Sequence, residues 1–265
     1  MECIASPKNE RVVRWAKLLS EKGRKEQGAF LVEGVHLLQE ALRAGLPPLA
    51  LLHDEEKAFP AELEPFLDGE APWISVSSAV MAKLSDSPSP QGVAGVFALP
   101  KRNEWEGEKR STLLLLDAVQ DPGNMGSLIR CADALGADAV LLGEGCVDPY
   151  NPKALRTSMG SLFHLPVLRI GLSDWTSRLR AEGYLLVAAH LQGKSPLHLF
   201  SFPPRVAILV GNEGRGIQPL LMREVEASVR IEMAGQAESL NVAVAASLLL
   251  YERRRQNLLS AGEGD

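Results

Sequence analysis

The chain has 265 residues, of which 46% are hydrophobic and 23% are charged, a composition typical of soluble globular proteins. No apolar run reaches the ~18 residues that a membrane-spanning helix needs, and the first residues lack the apolar segment of a signal peptide. We therefore expect a cytoplasmic protein without a membrane segment. The net charge of −5 argues mildly against nucleic-acid binding, because phosphate binding requires clustered basic side chains.

Cysteine usage argues against a disulfide framework and against a zinc site. Cys3, Cys131 and Cys146 are odd in number and lack the spacing of metal ligands. We predict no bound metal. Cys131 is expected in the core of the protein.

Charge is unevenly distributed over the first 70 residues. Between Pro7 and Lys25 there are only two acidic residues against seven basic ones: Lys8, Arg11, Arg14, Lys17, Lys22, Arg24 and Lys25. From Asp54 to Glu70 the balance is reversed, with seven acidic residues against Lys57. Both an RNA-binding face and an ordinary solvated face are compatible with the basic segment on its own.

Residues 1–99 predict a small α/β domain. Its first element is an amphipathic helix, in which Val12, Trp15, Ala16 and Leu19 form the apolar stripe. The later predicted elements are a strand within Gly28–Gly34, a helix over Val35–Ala44, and strands over Leu49–Leu52, Trp73–Val76 and Val93–Ala98. The polar, aperiodic segment 100–111 is typical of a linker.

Residues 112–265 predict a second domain with a parallel sheet. Continuous apolar runs alternate with helical segments, which indicates strands that are buried on both faces. The predicted strands are Leu113–Leu116, Ala139–Leu142, Leu185–Ala189, Val206–Val210 and Val229–Ile231, followed by a last helix over Leu240–Gln256.

The first candidate motif runs from Asp121 to Arg130. Asn124 stands at a helix N-cap position, and capping alone would be enough to explain it. Arg130 lies roughly 200° around the helix from the buried Leu128, so it is not a core residue. Its side chain leans towards the carboxyl end of the preceding strand, where open α/β sheets bind ligands. An exposed arginine without a function is the alternative.

The second motif, Leu209–Gly216, is rich in glycine, and Glu213 adds a carboxylate to it. Its glycine order differs from the G-x-G-x-x-G of dinucleotide-binding folds, and an ordinary tight turn is the alternative. In the third motif, Ser239 is the natural N-cap and Asn241 falls in the first helical turn. The following helix is apolar on nearly every side, so the subunit or a partner must cover it. A buried amide without a partner costs about 1–3 kcal/mol, so we expect Asn241 to be hydrogen-bonded.

In their order and surroundings, the three motifs resemble those of the SpoU (TrmH) branch of the SPOUT RNA methyltransferases, over about Thr112–Gln256. Phe30–Gly34 and Gln39–Leu42 look like the N-terminal substrate-binding domain of that family, which is related in fold to a ribosomal protein and binds RNA. The resemblance implies an α/β parallel-sheet catalytic domain with a deep trefoil knot over Val206–Gln256, which is an exception to the rule that chains avoid knots. It also implies a homodimer.

The resemblance further implies a reaction and a set of site residues. The reaction is methyl transfer from S-adenosylmethionine to a ribose 2′-hydroxyl of structured RNA, with 23S ribosomal RNA favoured over tRNA. The implied cofactor contacts are the backbones of Gly211, Ile231 and Leu240. The implied catalytic residues are Asn124, Arg130, Glu213, Ser239 and Asn241. The basic segment then becomes a candidate RNA contact through Lys8, Arg11, Arg14, Lys17, Arg24 and Lys25.

Two details qualify this interpretation. The family usually has Ile-Pro-Met before the third motif, whereas this chain has Glu232 in place of the proline, which frees φ and adds a charge beside the cofactor loop. Arg130 holds its proton too tightly for a base, so we interpret it as a cation that positions phosphate and stabilises developing negative charge.

A non-catalytic ribosome-assembly factor of the same fold and a doubly wound oxidoreductase are the rival hypotheses. We expect the second domain to fold without residues 1–100.

Overall fold

The computed structural model describes residues 3–69, 71–100 and 111–262. These residues divide into two compact units, the first within Met1–Lys101 and Asp148–Phe163, the second within Arg102–Val147 and His164–Asp265. Residues 148–163 thus belong to the first unit, although the predicted boundaries assign them to the second domain. Most of the predicted linker, residues 101–110, lies outside the described residues.

The first unit contains a mixed five-stranded sheet with the strand order β1-β4-β3-β5-β2. Its elements within the first hundred residues are β1 (Cys3–Ile4), α1 (Glu10–Ala16), α2 (Glu21–Gln27), β2 (Ala29–Glu33), α3 (Val35–Arg43), β3 (Pro48–Asp54), β4 (Trp73–Val76), α4 (Ser78–Leu84) and β5 (Val93–Ala98). The predicted strands and the helix from Val35 are confirmed. β1 and α4 were not predicted.

The first helix is interrupted where the sequence predicts one continuous amphipathic element. After α1 the chain forms a 3-10 turn over Lys17–Leu19, and α2 begins again after Ser20. The hydroxyl of Ser20 accepts a hydrogen bond from the backbone N–H of Gly23 at 3.1 Å, which is the geometry of an N-cap. Of the predicted apolar stripe, Val12 and Trp15 are buried in the core beside the sheet, while Ala16 and Leu19 are partly buried against it. After the interruption, Leu18 is buried in the core, although the predicted stripe did not include it.

Residues 148–163 complete the first unit with α6 (Pro152–Ser158) and an aromatic contact. The ring of Phe30 on β2 lies 4.7 Å from Tyr150 and 6.1 Å from Phe163, measured between ring centroids. Arg24 is buried, and its Nε donates to Asp148 Oδ2 at 2.6 Å. A buried ion pair of this kind costs about 3–5 kcal/mol to break. The segment is therefore fixed in the first unit by apolar packing and by charge.

The second unit has a seven-stranded sheet in which every pairing between its strands is parallel. Its elements are β6 (Ser111–Leu116), α5 (Pro122–Leu135), β7 (Ala139–Leu142), β8 (Val167–Arg169), α7 (Leu172–Ala181), β9 (Leu185–Ala189), β10 (Ser195–Pro196), β11 (Arg205–Val210), α8 (Pro219–Glu224), β12 (Ala227–Arg230) and α9 (Val242–Gly262). The strand order is β10-β12-β9-β11-β6-β7-β8. The predicted parallel sheet is confirmed.

The central strand β6 is buried on both faces, as its apolar sequence predicts. Leu113 and Leu115 pack in one core cluster with Leu172, Leu179 and Leu221 from α7 and α8. The alternate residues of β6, which point to the opposite face, are also buried. Each leucine buried in this way contributes about 1.5–3 kcal/mol. This core holds the carboxyl ends of β6 and β11, where the first two motifs begin.

The remaining layer of the second unit places α5 against α9 and brings α9 onto β9 and β11. These contacts fix the starts of both helices near the carboxyl end of the sheet. Strand order does not define how the loops after β11 and β12 cross, so the trefoil knot stays a prediction. Across the described ranges, no helix is long and apolar enough to cross a membrane.

Candidate active site

The first two motifs are adjacent because the strands that precede them are neighbours. Leu116, the last residue of β6, is paired in parallel with Val210, the last residue of β11. The backbone N–H of Asp117 continues the ladder by donating to the carbonyl of Val210 at 2.9 Å. The chain then leaves both strands at one edge of the sheet. This register brings the turn before α5 beside the glycine-rich loop 211–218.

The glycine-rich loop is folded tightly on itself. A Cβ on Gly211 would lie 2.3 Å from the backbone carbon of Gly216, so no side chain fits there. Asn212 and Gly216 exchange two backbone hydrogen bonds at 2.9 and 3.0 Å. The side-chain oxygen of Asn212 accepts from the N–H groups of Gly214 and Arg215, while its Nδ2 donates to the carbonyl of Ala118 at 2.8 Å. The loop is therefore held in one conformation by its own hydrogen bonds and by the contact with Ala118, and is not an ordinary tight turn.

Three polar side chains, one from each motif, form a continuous hydrogen-bonded chain. Asn124 Nδ2 donates to Glu213 Oε1 at 2.8 Å, and Asn241 Nδ2 donates to Asn124 Oδ1 at 2.8 Å. Asn241 Oδ1 in turn accepts from the backbone N–H groups of Ala243 and Val244. The expectation that Asn241 has a specific partner is confirmed, although its side chain is exposed rather than buried.

Two predicted helix caps are wrong. The N-cap of α5 is Asp121, whose side chain accepts from the N–H of Asn124 at 2.8 Å. Asn124 is thus free of capping and uses both ends of its amide for the contacts with Glu213 and Asn241. At α9, Asn241 supplies the cap that the sequence assigned to Ser239, and the helix begins at Val242 instead of Leu240.

A cleft of about 590 Å³ opens beside the hydrogen-bonded side chains of Glu213, Asn124 and Asn241. Its wall is formed by the glycine-rich loop, the ends of β9 and β12, and the segment before α9. Gly211, Ile231 and Leu240, the three predicted cofactor contacts, all line it, as do Glu213, Ser239 and Asn241. Met233 adds an apolar surface, Glu238 a second carboxylate, and Arg215 a guanidinium. The three residues come from two separate loops and meet at one cleft, and their contact with a cofactor stays a prediction.

Arg130 and Asn124 are not part of the lining of this cleft. Arg130 is exposed on α5, and within the described residues its guanidinium has no hydrogen bond or ion pair. Asn124 reaches the cleft only through Glu213 and Asn241. Cys131, which the sequence places in the core, is half-buried. Within the described ranges, no cluster of three or more histidine, cysteine or acidic side chains could hold a metal ion.

Glu232, the residue that departs from the family pattern, is turned away from the cleft. Its carboxylate contacts Arg230 Nη2 at 3.2 Å and lies 3.7 Å from His198 Nδ1, and it is absent from the cleft wall. The neighbouring residues Ile231 and Met233 do face the cleft. The added charge is therefore balanced by neighbouring groups outside the cleft.

In the basic segment of the first unit, two of the six candidate RNA contacts are held in ion pairs. Arg24 must be removed from the candidate RNA contacts, because its side chain is buried and bonded to Asp148 and to the carbonyl of Leu18. Lys25 is paired with Glu21 at 2.6 Å. The other four candidates carry side chains that are exposed or half-exposed: Lys8, Arg11, Arg14 and Lys17.

Sequence reasoning missed three residues that hold the glycine-rich loop: Asp117, Asn212 and Gln218. The carboxylate of Asp117 accepts two hydrogen bonds from Gln218, one from its backbone N–H and one from its Nε2, both at 2.7 Å. An acidic residue directly after a fully apolar strand was the available signal, because a buried carboxylate requires donors. Gln218 carried no such signal.

The comparisons with known proteins agree with this geometry. The SpoU rRNA Methylase family matches residues 111–251, and the MRM3-like substrate binding domain matches residues 9–95. The chain belongs to the SpoU rRNA methylase family. It is 39% identical to the 23S rRNA (guanosine(2553)-2'-O)-methyltransferase RlmP of Bacillus subtilis, over 96% of this chain and 100% of that protein.

Solved structures of the family have the same fold. The SpoU methyltransferase AviRb from Streptomyces viridochromogenes, in complex with the cofactor AdoMet, superposes with a TM-score of 0.88 at 32% identity, covering 95% of this chain and 99% of that one. The AdoMet-bound rRNA methyltransferase from Sinorhizobium meliloti gives a TM-score of 0.86 at 32% identity, covering 96% and 97%. The predicted SPOUT fold and the family resemblance are confirmed. The doubly wound oxidoreductase is excluded.

Proposed function

We propose that this protein transfers a methyl group from S-adenosylmethionine to a single ribose 2′-hydroxyl of large-subunit ribosomal RNA. The observation that carries the proposal is the hydrogen-bonded chain Glu213–Asn124–Asn241 at the edge of the cleft. It joins all three motifs of the family in one arrangement, which a non-catalytic factor of the same fold would have no need to preserve. The named relatives of the chain favour ribosomal RNA over tRNA as the substrate.

The cleft fits S-adenosylmethionine in size and in chemistry. Small-molecule sites typically measure about 300–1,000 Å³, and this one measures about 590 Å³. The absence of a side chain at Gly211 lets the loop that lines the cleft close on its own backbone at Gly216 and Ile217. Ile231, Met233 and Leu240 offer an apolar wall for an adenosyl group, and the carboxylates of Glu213 and Glu238 favour a cationic ligand. When bound, the cofactor supplies an electrophilic methyl group on a sulfonium centre.

The residues of the chain then have two tasks, to hold the ribose hydroxyl in line with the methyl group and to stabilise the negative charge that develops on its oxygen. Asn124, Glu213 and Asn241 are assigned to position the ribose hydroxyl, since their mutual hydrogen bonds hold each side chain in one orientation. Arg130 is assigned to stabilise the developing negative charge. Its exposed guanidinium is suited to bind the phosphate next to the target ribose. Ser239, which lines the cleft before α9, is assigned to the same polar wall.

The proposed enzyme is a homodimer, formed through an apolar stripe on α9. Val244, Leu248 and Tyr251 are 48%, 39% and 58% exposed and lie at helical spacing, followed by the exposed Leu258 and Leu259. Such a stripe calls for a partner surface, and a second copy of the same face is the commonest solution in soluble oligomers. The stripe starts beside Ala245, which lines the cleft, so the partner subunit would border the active site.

The decisive experiment measures transfer of labelled methyl to ribosomal RNA by the purified protein. Sites of 2′-O-methylation are mapped in cells with and without the gene, and the target nucleotide is then replaced by its 2′-deoxy form in a synthetic substrate. We expect the deoxy substrate to bind but to accept no methyl group, because the 2′-hydroxyl is the acceptor. Continued methylation of the deoxy substrate would place the acceptor on the base and overturn the proposal.

A further inference from the structure

The loop that carries Glu213 is attached at both ends to the same short segment of chain, the exit of β6. At its start, Asn212 Nδ2 donates to the carbonyl of Ala118 at 2.8 Å. At its end, Gln218 donates twice to the carboxylate of Asp117, from its backbone N–H to Oδ2 and from Nε2 to Oδ1, each at 2.7 Å. The side chain of Asp117 is only 1% exposed.

The two contacts, Asn212 to Ala118 and Gln218 to Asp117, differ in strength. Hydrogen bonds to an ionised carboxylate are short and roughly twice as strong as bonds between neutral groups. The contact between Asp117 and Gln218 is therefore the stronger anchor. Ala118, the acceptor of the other anchor, has φ +53°, a conformation that non-glycine residues seldom adopt and that the surroundings must enforce.

We propose that Asp117 and Gln218 form a positioning pair for methyl transfer, which holds the loop 211–218 so that Glu213 meets Asn124 at the cofactor cleft. Neither residue lines the cleft, so the pair acts through the loop and not by touching the ligand. The inference rests on the proposed function for its effect on methylation. Its effect on cofactor binding is independent of the identity of the RNA.

The pair allows a test in which charge and hydrogen-bonding capacity are exchanged between the partners. Gln218→Glu places a second carboxylate against Asp117, and two carboxylates at this distance cannot both be ionised without strong repulsion. Asp117→Asn combined with Gln218→Glu restores complementarity, because the amide introduced at position 117 can donate to the new carboxylate while its oxygen still accepts the backbone N–H. Asp117→Asn alone is expected to lose less than Gln218→Glu, since the Gln218 amide can turn over.

The experiment uses the full chain, S-adenosylmethionine as the calorimetric ligand and ribosomal RNA as the methyl acceptor. We expect Gln218→Glu to weaken cofactor binding and to slow methylation by about tenfold or more, and the double variant to regain both to within about threefold of the wild type. Ser177→Glu is the control, because it adds the same charge at an exposed residue of α7 that is not part of the cleft wall and whose side chain forms no hydrogen bond in the described part of the chain. It should change binding by less than about twofold.

Two results would overturn the pair: a Gln218→Glu variant that binds the cofactor like the wild type, or a double variant that is no better than Gln218→Glu. If Gln218→Glu does not fold, Gln218→Ala serves in its place, since it keeps the backbone donor and loses only the side-chain bond. Cofactor binding by Gln218→Ala that equals the wild type would count equally against the pair. A wild type that binds the cofactor but methylates no RNA would contradict the proposed function alone.

Discussion

Asn241 Nδ2 donates a hydrogen bond to Asn124 Oδ1 across 2.8 Å, so the third motif is bonded directly to the first. The direction of this bond is set by α9. Its first N–H groups require the oxygen of the Asn241 amide, which leaves the nitrogen to face Asn124. Asn124 must then present its own nitrogen to Glu213, which accepts at 2.8 Å. The start of one helix thus determines the orientation of three side chains.

The first prediction concerns Asn124 and Arg130, which lie outside the wall of the cleft that we propose for the cofactor. We expect Asn124→Ala and Arg130→Ala to lower the methylation rate by about 10²- to 10³-fold, since each removes a contact that matters most in the transition state. The affinity for S-adenosylmethionine, measured by calorimetry, should change little. Methylation by Arg130→Ala within about threefold of the wild type would contradict the role assigned to this residue.

The second prediction concerns the space beside Gly211. A Cβ at this position would lie 2.3 to 2.4 Å from backbone atoms of Gly216 and Ile217, so Gly211→Ala must displace the loop. We expect it to abolish measurable cofactor binding and to lower the melting temperature. Gly235→Ala is the control, because nothing lies within 4 Å of its added methyl group. Equal cofactor affinity of the two variants would mean that the tight loop is not needed for binding.

Part of this site could be predicted from the sequence and part could not. The apolar surroundings of Asn241 predicted that its amide has a partner, whereas Asn124 and Glu213 were implied as site residues by the resemblance to the SpoU family. The sequence did not show that Asn124 and Glu213 are partners. They lie about ninety positions apart, and only the adjacency of β6 and β11 brings them into contact. The caps of α5 and α9 were misassigned because Asp121 and Asn241 compete with neighbours of equal capping propensity.

The boundaries of the two units were beyond sequence reasoning for a similar reason. Asp148, Tyr150 and Phe163 lie between apolar runs that belong to the second unit, and nothing in their local pattern indicates packing against Phe30. Arg24 was likewise taken for a surface cation, because its half-buried partner Asp148 lies far along the chain. We therefore no longer expect the fragment 101–265 to fold intact without residues 1–100, since its residues 148–163 would lose the contacts that cover them in the first unit.

The third prediction tests this attachment through Asp148. Asp148→Ala leaves the buried guanidinium of Arg24 without its carboxylate, and we expect a loss of about 3 kcal/mol in the free energy of unfolding. The control, Asp86→Ala, removes an ion pair of similar length, 2.8 Å from Asp86 to Arg156 Nη2. Both side chains of this pair are exposed, Asp86 by 45% and Arg156 by 43%. It should lose no more than about 1 kcal/mol. Urea unfolding followed by circular dichroism compares the two variants, and equal losses would contradict the attachment.

The fourth prediction concerns the basic face of α1 and the turn after it. We propose that Arg14 and Lys17 contact RNA phosphates, because both side chains are exposed or half-exposed in the segment with the largest basic excess. The double change to Gln should weaken RNA binding and reduce the slope of log affinity against log salt by roughly 0.7 to 0.9 for each lost contact. Arg43→Gln, which removes an exposed arginine of α3 from the same unit, is the control. An unchanged slope in the double variant would exclude this face.

The fifth prediction concerns the apolar stripe on α9. We expect the wild type to be a dimer at micromolar concentration, and Leu248→Asp to shift it to monomers, because a carboxylate in the centre of an apolar interface loses its hydration without gaining a partner. Leu49→Asp is the matched control, since Leu49 is an exposed leucine of the first unit, 59% exposed, that is not part of the stripe. Light scattering distinguishes the two states. A wild type of 28.7 kDa at all concentrations, or a Leu248→Asp variant that stays dimeric, would show that the exposed stripe is not the subunit interface.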